Sequence, residues 1–532
     1  MPHATQMING REYAYEYKSV WNKEKRRSEQ KREYIGRIVD GEFVPNKKYM
    51  LREELDREKS DAGRRGPVPA AECGRVFAGS TYLLDRIGET LGIKADLKSC
   101  FPEIYKEILS LSYYLALEPF SPMYRFKRWA ATHAHPYGRD IVSQRSSELL
   151  QMITEPSKMD FFKKQSKRRA ESEYLFYDST SISSYSEQLK QVKYGKNRDG
   201  DALAQINLAL LLGQSSGLPA YYRKLPGNIT DVMTIENLLR GIEYLDLKKV
   251  KIVMDRGFFS AKNVNELYKG HHKFVIGARI SLKVIQEQLK PERADFDRRE
   301  NYNSVTGLFI MSQTMDWPYE EVKIRSGEAI NAARRMYVHI YYNDQLAADE
   351  KSRFNKMLDS LEEELLTGKR KEGNENNYSK YFDVIETPVR GVRIKPKQAE
   401  IDKARKNFGF FVLLSNEVKD PVAALKIYRS KDMIEKAFSD LKDRLNMRRT
   451  SVSSEESMEG KLFLQFVGLI YLSYVKQTMD KEGLFKNYTM QELFDELDVI
   501  EKYQQPGGSA FYGEITDKQR KLYIALGTEP PA

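Results

Sequence analysis

In this 532-residue chain, two aspartates that lie in apolar segments are candidates for catalytic residues. Asp178 lies in the segment YLFYDSTSISSY, and Asp255 ends the segment VKIVMD. A carboxylate at a buried strand costs free energy unless it is paired, hydrogen-bonded or bound to a metal. In open α/β sheets, the strand ends are also where functional crevices form. Each aspartate could instead cap a helix, and Asp255 could form a salt bridge with Arg256.

A third carboxylate, Glu435, lies in YRSKDMIEKAFSDLKDRL, which predicts one amphipathic helix over residues 428–445. At about 100° per residue, Tyr428, Lys431 and Lys442 share a sector of roughly 60° with this glutamate. The apolar stripe lies roughly 90° away and would pack on a sheet, which turns the polar stripe toward the two aspartates. The alternative is that Glu435 is a solvated surface charge.

Three carboxylates that meet at one place suit hard divalent cations, above all Mg²⁺ or Mn²⁺. Two such ions about 3.5–4 Å apart can activate a water or a 3′-hydroxyl and stabilise the leaving oxygen in a displacement at phosphorus. The lysines and the tyrosine of the same stripe would then meet phosphate oxygens. The carboxylates therefore predict a site for metal-dependent phosphoryl transfer.

The elements around both aspartates fit such a site. Between about residues 174 and 278, the patterns predict three successive strands, a helix, a strand, a helix and a strand. This order is that of a ribonuclease H-like α/β domain, in which helices cover both faces of a mixed sheet. The alternation stops at about residue 281 and resumes with the strand FGFFVLLSN, which predicts an insertion of strands and helices.

The chain divides into five predicted regions. They are an N-terminal DNA-binding region of a strand hairpin followed by helices (1–165), the first part of the catalytic core (166–280), the inserted β-rich and helical subdomain (281–400), the second part of the core (401–480) and a C-terminal tail (481–532). The loop of the hairpin carries Lys25, Arg26 and Arg27, which either contact phosphates or form a solvated tip.

The segment GNITD offers two interpretations. Gly227 and Asn228 predict a turn, after which Thr230 or Asp231 would cap the following helix. The alternative is that Asp231 lies near the metal ions and orients their ligands without binding the ions itself.

Charge and composition favour an intracellular protein that binds a polyanion. The chain has 87 Lys plus Arg against 76 Asp plus Glu, a net charge of +11 that would attract nucleic acid. Only two cysteines occur, Cys73 and Cys100, which excludes a disulfide framework and a zinc site of the usual cysteine spacing. With no signal peptide and no apolar run of membrane length, we expect a cytoplasmic location without membrane contact.

Taken together, these segments resemble the DDE transposases of bacterial insertion sequences, in the group whose third motif reads Tyr-x2-Arg-x3-Glu-x6-Lys. Tyr428, Lys431, Glu435 and Lys442 stand at that spacing, with lysine in place of the arginine. The other matching stretches are YDSTS, GLPAYYRKLPGNITD, VMDRGFFS and GKLFLQFVGLIYLSY, so that the likeness covers residues from about 170 to 480.

The resemblance implies that Asp178, Asp255 and Glu435 bind two Mg²⁺ ions, for which Mn²⁺ can substitute. It also implies that Tyr428, Lys431 and Lys442 position transposon-end DNA, and Arg256 is a further candidate for a DNA contact. Trp317, in the insertion, would stack on a flipped base or belong to the core.

The implied activity is cleavage at the terminal inverted repeats of an insertion sequence, followed by transfer of the 3′-hydroxyl ends into target DNA. A homodimer would bridge the two ends. Two alternatives remain: a ribonuclease H-like nuclease that does not transfer strands, and an inactive DNA-binding repressor derived from a transposase.

Overall fold

The computed structural model of the protein describes most of the chain, namely residues 4–22, 27–61, 74–168, 173–186, 188–247, 249–289, 296–322, 329–387, 391–504 and 509–532. The chain forms two compact units. The first comprises Met1–Val76, Glu501–Glu514 and Ala532, and the second comprises Phe77–Ile500 and Ile515–Pro531.

The strands, in chain order, are β1 Ala4–Ile8, β2 Arg11–Asn22, β3 Arg27–Val39, β4 Glu42–Pro45, β5 Gly74–Phe77, β6 Tyr174–Ser183, β7 Gln205–Gly213, β8 Pro219–Pro226, β9 Lys251–Met254, β10 Lys273–Ala278, β11 Tyr302–Asn303, β12 Leu308–Val322, β13 Ala329–Tyr342, β14 Phe382–Thr387, β15 Gly391–Pro396, β16 Phe410–Ser415, β17 Glu501–Gln504 and β18 Ala510–Tyr512.

The α-helices are α1 Lys47–Asp61, α2 Gly79–Thr90, α3 Ile93–Cys100, α4 Tyr105–Leu117, α5 Phe126–Ala130, α6 Ser143–Met152, α7 Glu155–Lys167, α8 Asp231–Tyr244, α9 Ala261–Lys269, α10 Lys283–Leu289, α11 Asp344–Leu366, α12 Glu375–Tyr381, α13 Gln398–Arg405, α14 Pro421–Arg429, α15 Asp432–Ser439, α16 Glu455–Lys481, α17 Met490–Asp498 and α18 Asp517–Ala525.

The first unit contains an antiparallel sheet of order β1–β2–β3–β4. The alternating aromatic and polar residues of β2 and β3 form this sheet, in which the Tyr13 and Tyr34 rings lie 5.7 Å apart. Arg27 begins β3 opposite Asn22. Lys25 and Arg26 of the predicted basic loop lie outside the described residues.

The second unit is organised around a nine-stranded mixed sheet of order β11–β12–β13–β16–β10–β9–β6–β7–β8. Strands β6, β7 and β8 form an antiparallel meander, and β9 and β10 lie parallel to β6. The turn between β7 and β8 contains Gly217 at φ 62°, a conformation that glycine adopts without steric cost. The order β8–β7–β6–β9–β10 confirms the predicted ribonuclease H-like fold class.

The apolar helix α16 connects the sheet with the helices that precede it in the chain. Its Phe466 ring lies 5.2 Å from Phe162 of α7 and 5.1 Å from Tyr222 of β8. Most of the helix is buried in this position, which explains its apolar sequence. No helix within the described ranges is long and apolar enough to cross a membrane.

Part of the predicted insertion continues the core sheet. Strands β12 and β13 extend it beyond β16 through antiparallel pairs. The remainder has its own small apolar cluster around α11, α12 and α13. Its buried members are Leu358, Leu361, Leu365, Tyr378, Tyr381, Phe382 and Ile401. The charged helix α11 ends two residues before Gly368, whose φ is 70°.

The prediction of one continuous helix over residues 428–445 was wrong. Helix α14 ends at Arg429, α15 begins at Asp432, and a π-helical turn occupies Asp440–Arg444. The Ser430 hydroxyl donates a hydrogen bond to the Lys426 carbonyl at 2.8 Å. Such a bond back to the preceding turn is known to bend helices, and here it lies at the break.

Candidate active site

The parallel pairing of β6 and β9, two central strands of the sheet, brings the two aspartates next to each other. Tyr177 pairs with Met254, and the next residue of each segment is Asp178 or Asp255. Both carboxylates accept their hydrogen bonds from described residues at Oδ1. The Oδ2 atom of each aspartate therefore accepts no hydrogen bond within the described part of the chain.

Asp178 is the more buried of the pair, with 16% of its side chain exposed. Its Oδ1 accepts the Ser179 backbone N–H at 2.8 Å and lies 3.4 Å from Nη1 of Arg198. Burial raises the pKa of Asp178 to about 6, although the Arg198 charge acts in the opposite direction. Charge on this carboxylate is costly in the metal-free protein.

The surroundings of Asp255 stabilise its ionised carboxylate more than the surroundings of Asp178 do. Asp255 caps the short 3-10 turn Arg256–Phe258, where its Oδ1 accepts the Arg256 backbone N–H at 2.7 Å. The same atom accepts the Tyr428 hydroxyl at 2.6 Å and lies 3.4 Å from Lys431 Nζ. Burial alone would raise the pKa of Asp255, but these donors outweigh it and hold the pKa below its ordinary value. Arg256 contributes its backbone N–H, and within the described residues its side chain forms no salt bridge with Asp255.

Glu435 lies on α15, which packs against β6. Its side chain is 57% exposed, and its Oε1 lies 3.8 Å from Lys431 Nζ. Lys431 therefore contacts both Asp255 and Glu435. Among the residues that the structure describes, no three His, Cys, Asp or Glu side chains are grouped closely enough to hold a metal. The structure thus places the two aspartates next to each other. Glu435 lies near them but does not form a three-carboxylate group with them.

Lys442 does not lie on a common stripe with Tyr428 and Lys431, although the helical spacing predicted that it would. It lies in the π-helical turn, where its Nζ contacts the two carboxylate oxygens of Asp199 at 2.9 and 2.7 Å. Only 9% of its side chain is exposed. The predicted common stripe required a continuous helix, so the break and the π-turn separate Lys442 from Tyr428 and Lys431.

Trp317 lies on β12 and is 4% exposed. Its indole N–H donates to Asn265 Oδ1 at 2.9 Å, and Phe259 packs edge-on against its ring. This burial favours the core interpretation over stacking on a base.

Sequence reasoning missed Arg198, which lies between β6 and β7. Its Nη2 is 3.2 Å from Asp231 Oδ2 and 3.3 Å from Ser179 Oγ, while Nη1 approaches Asp178. The Ser179 hydroxyl donates to Asp231 Oδ1 at 2.8 Å. The one signal in the sequence is the charged run KNRDGD after the first strand, which is equally typical of a solvated loop.

The helix cap predicted at GNITD takes a different form. Thr230 occupies the N-cap position of α8 without a side-chain hydrogen bond to the helix. Asp231, the first residue of α8, directs its carboxylate to Ser179 and Arg198. It therefore lies beside Asp178, as the alternative interpretation of this aspartate requires.

A cleft of about 570 Å³ opens beside Asp255 and is also lined by Arg256, Tyr428 and Lys431. Gly277 on β10 forms part of its wall, and a Cβ at this glycine would lie 2.9 Å from the Arg256 nitrogen and 2.9 Å from the Tyr428 oxygen. The absence of a side chain there lets Tyr428 reach Asp255.

Residues 170–470 match the family described as "Transposase DDE domain". The match covers more than half of the chain and spans both aspartates and Glu435, so this chain belongs to the transposase DDE domain family. Members of this family typically use divalent metal ions.

Among solved structures, the chain is similar to the piggyBac transposase in a synaptic complex with hairpin DNA. The TM-score is 0.34 at 11% sequence identity, and the alignment covers 83% of this chain and 70% of that one. No curated protein matches the chain in sequence.

Proposed function

We propose that this protein cleaves DNA at the terminal inverted repeats of a bacterial insertion sequence and transfers the 3′-hydroxyl ends into target DNA. One observation carries the proposal. Asp178, within β6, and Asp255, directly after β9, lie side by side on two parallel neighbouring strands of a ribonuclease H-like sheet, within the segment that matches the transposase DDE domain. A carboxylate pair in that position suits metal-dependent phosphoryl transfer.

The donor chemistry of the site fits Mg²⁺, with Mn²⁺ as a substitute. Asp178 and Asp255 each keep one oxygen without a hydrogen bond from the described residues, and carboxylate oxygens are the ligands that hard cations prefer. Glu435 on the neighbouring helix is the third proposed ligand. Two bound ions would supply charge neutralisation at the attacked phosphate and at the leaving oxygen.

Neighbouring side chains control the charge and the position of the two aspartates that would bind metal. The Tyr428 hydroxyl and Lys431 keep Asp255 ionised. Lys431 also balances Glu435 at 3.8 Å. Asp231, through Ser179 and Arg198, orients the surroundings of Asp178, and we assign it a positioning role.

DNA contacts are proposed for Tyr428, Lys431 and Arg256, which line the cleft beside Asp255, and for Lys442 in the π-helical turn. They are also proposed for Lys25, Arg26 and Arg27 of the N-terminal hairpin. Lys442 would have to exchange Asp199 for a phosphate. A homodimer that bridges two transposon ends is part of the proposal.

The test is Mg²⁺-dependent cleavage of end DNA by Asp178→Ala, Asp255→Ala and Glu435→Ala. Each variant is expected to lose at least about a thousandfold in cleavage rate, because each removes a metal ligand, while end binding is retained. Asp359→Ala, at an exposed carboxylate of α11, is the matched control. Cleavage at the wild-type rate by any of the three would refute the assignment of that residue.

A strand-transfer assay with a supercoiled target separates the remaining alternatives. Cleaved ends that never join the target would identify a nuclease, and end binding without any cleavage by the wild-type protein would identify a repressor.

A further inference from the structure

A basic pocket lies at the opposite end of β9 and β10 from Asp255. It has a volume of about 540 Å³, and four of the residues that line it are cationic: Lys249, Lys273, Arg334 and Arg335. Lys249 precedes β9 and Asp255 follows it. At about 3.3 Å per residue, these two positions are roughly 20 Å apart along the strand. The basic pocket is therefore distinct from the cleft at Asp255.

The cationic residues of the basic pocket form no close ion pairs with the described residues, although Asp316 stands opposite Arg335 in the β12–β13 pair. Its four cationic residues are exposed, no carboxylate lines the pocket, and none of the four forms an ion pair in the part of the chain that the structure describes. By contrast, the nearby Lys251 pairs with Glu417 at 3.5 Å. Four like charges around one concavity repel each other, and a polyanion would relieve that repulsion.

The walls of the basic pocket are held by hydrogen bonds that leave these cations available. Asn416 accepts the Phe274 N–H at 3.0 Å and donates to the His272 carbonyl at 2.8 Å. The Tyr268 hydroxyl donates to the Arg335 backbone carbonyl at 2.7 Å, which fixes the main chain and not the guanidinium. The Arg334 guanidinium lies over the Tyr319 ring at 4.8 Å, and stacking leaves its N–H edge open to a ligand.

We propose that the basic pocket binds backbone phosphates of DNA outside the segment held at the active site. Arginine binds phosphate through two parallel N–H donors and lysine binds it as a point charge, so this set of side chains suits phosphodiesters. The inference rests on the proposed DNA transposase function. The phosphates belong either to a distant flank of the same DNA or to a second duplex.

The test compares the full chain with Arg334→Gln/Arg335→Gln, each loaded first with a duplex of about 21 base pairs, two helical turns. A labelled second duplex of the same length and unrelated sequence is then titrated over a range of NaCl concentrations. A parallel arm titrates one long duplex into the unloaded proteins. Loss of two phosphate contacts is expected to lower the slope of log affinity against log salt by about 1.8.

A reduced slope for the second duplex assigns the basic pocket to a separate DNA molecule, and a reduced slope for the long duplex alone assigns it to a flank. An unchanged slope in both arms overturns the proposal. Lys273→Gln should reproduce about half of the effect. Lys351→Gln/Lys356→Gln, which removes the same charge from the exposed side of α11, should have none.

The measurement concerns binding alone. Failure of the Asp178, Asp255 and Glu435 assignment would appear in cleavage assays and leave this result interpretable. Unchanged thermal unfolding of the arginine variant would show that the fold is intact.

Discussion

At the scale of single residues, the two aspartates are neighbours with opposite electrostatic environments. The pKa of Asp178 is raised by burial, whereas that of Asp255 is lowered by the donors around it. Near neutral pH, both carboxylates are ionised, but Asp178 carries the higher cost of its charge. A divalent cation would remove that cost, which couples metal binding to stability.

Tyr428→Phe is expected to slow cleavage about tenfold or more, because a hydrogen bond to a charged group contributes about 1.5–3 kcal/mol. Removal of the 2.6 Å donor should raise the pKa of Asp255 and move the acid limb of the pH–rate profile to higher pH. The control is Tyr174→Phe, which removes a 2.7 Å bond to Glu417 outside the site. A pH profile identical to that of the wild type would contradict the role of Tyr428.

Asp178→Asn is expected to stabilise the metal-free protein above pH 6 and not at pH 4. Because the folded pKa of about 6 exceeds the ordinary value of 3.8, the folded state binds the proton more tightly. Stability therefore falls as pH rises between these values and stays low above them. The gain from the amide at pH 8 is up to about 3 kcal/mol. It is measured by urea unfolding with a chelator present.

Asp359→Asn, at an exposed position of α11, is the control for that experiment. If Asp178→Asn changed the free energy of unfolding equally at pH 4 and pH 8, burial would not be the cause of the raised pKa of Asp178.

At the scale of secondary-structure elements, β10 borders the space through which the Tyr428 hydroxyl reaches Asp255. Gly277→Ala is expected to lower cleavage to the level of Tyr428→Phe, because the added Cβ would lie 2.9 Å from the Tyr428 oxygen and displace it. Combining the two substitutions should add little further loss, since both act through one contact. Single-turnover cleavage measures all three variants.

The control at this scale is Gly373→Ala, where an added Cβ meets no atom within 4 Å. Full activity of Gly277→Ala would mean that Tyr428 reaches Asp255 by another path.

At the scale of the whole molecule, cations outside the active site are expected to govern affinity for DNA and not the chemical step. Lys25→Gln/Arg26→Gln/Arg27→Gln should lower the salt slope of end binding by about 2.7 if all three residues contact phosphates. The one described member, Arg27, has a side chain that is 69% exposed, and its one ion pair with a described residue is a 3.4 Å contact with Glu29, which competes weakly with a phosphate. Cleavage of bound ends should keep its rate.

Lys351→Gln/Arg353→Gln/Lys356→Gln removes three charges from α11 and serves as the comparison. An equal change of slope in both triple variants would indicate a general charge effect and not a contact at the hairpin.

The fold class could be predicted from the sequence, because each strand and helix of the core has a local hydrophobic period that can be recognised without knowing its packing partners. The sequence also singled out Asp178 and Asp255, since charged residues stand out in apolar segments. The hydrogen-bond partners of these carboxylates, in contrast, are set by how the strands, helices and loops pack in three dimensions. The contacts of Arg198 with Asp178, of Asp231 with Ser179 and of Lys442 with Asp199 join residues that are distant in the chain or lie in irregular loops. The break after Arg429 likewise coincides with a local hydrogen bond that helical periodicity does not reveal.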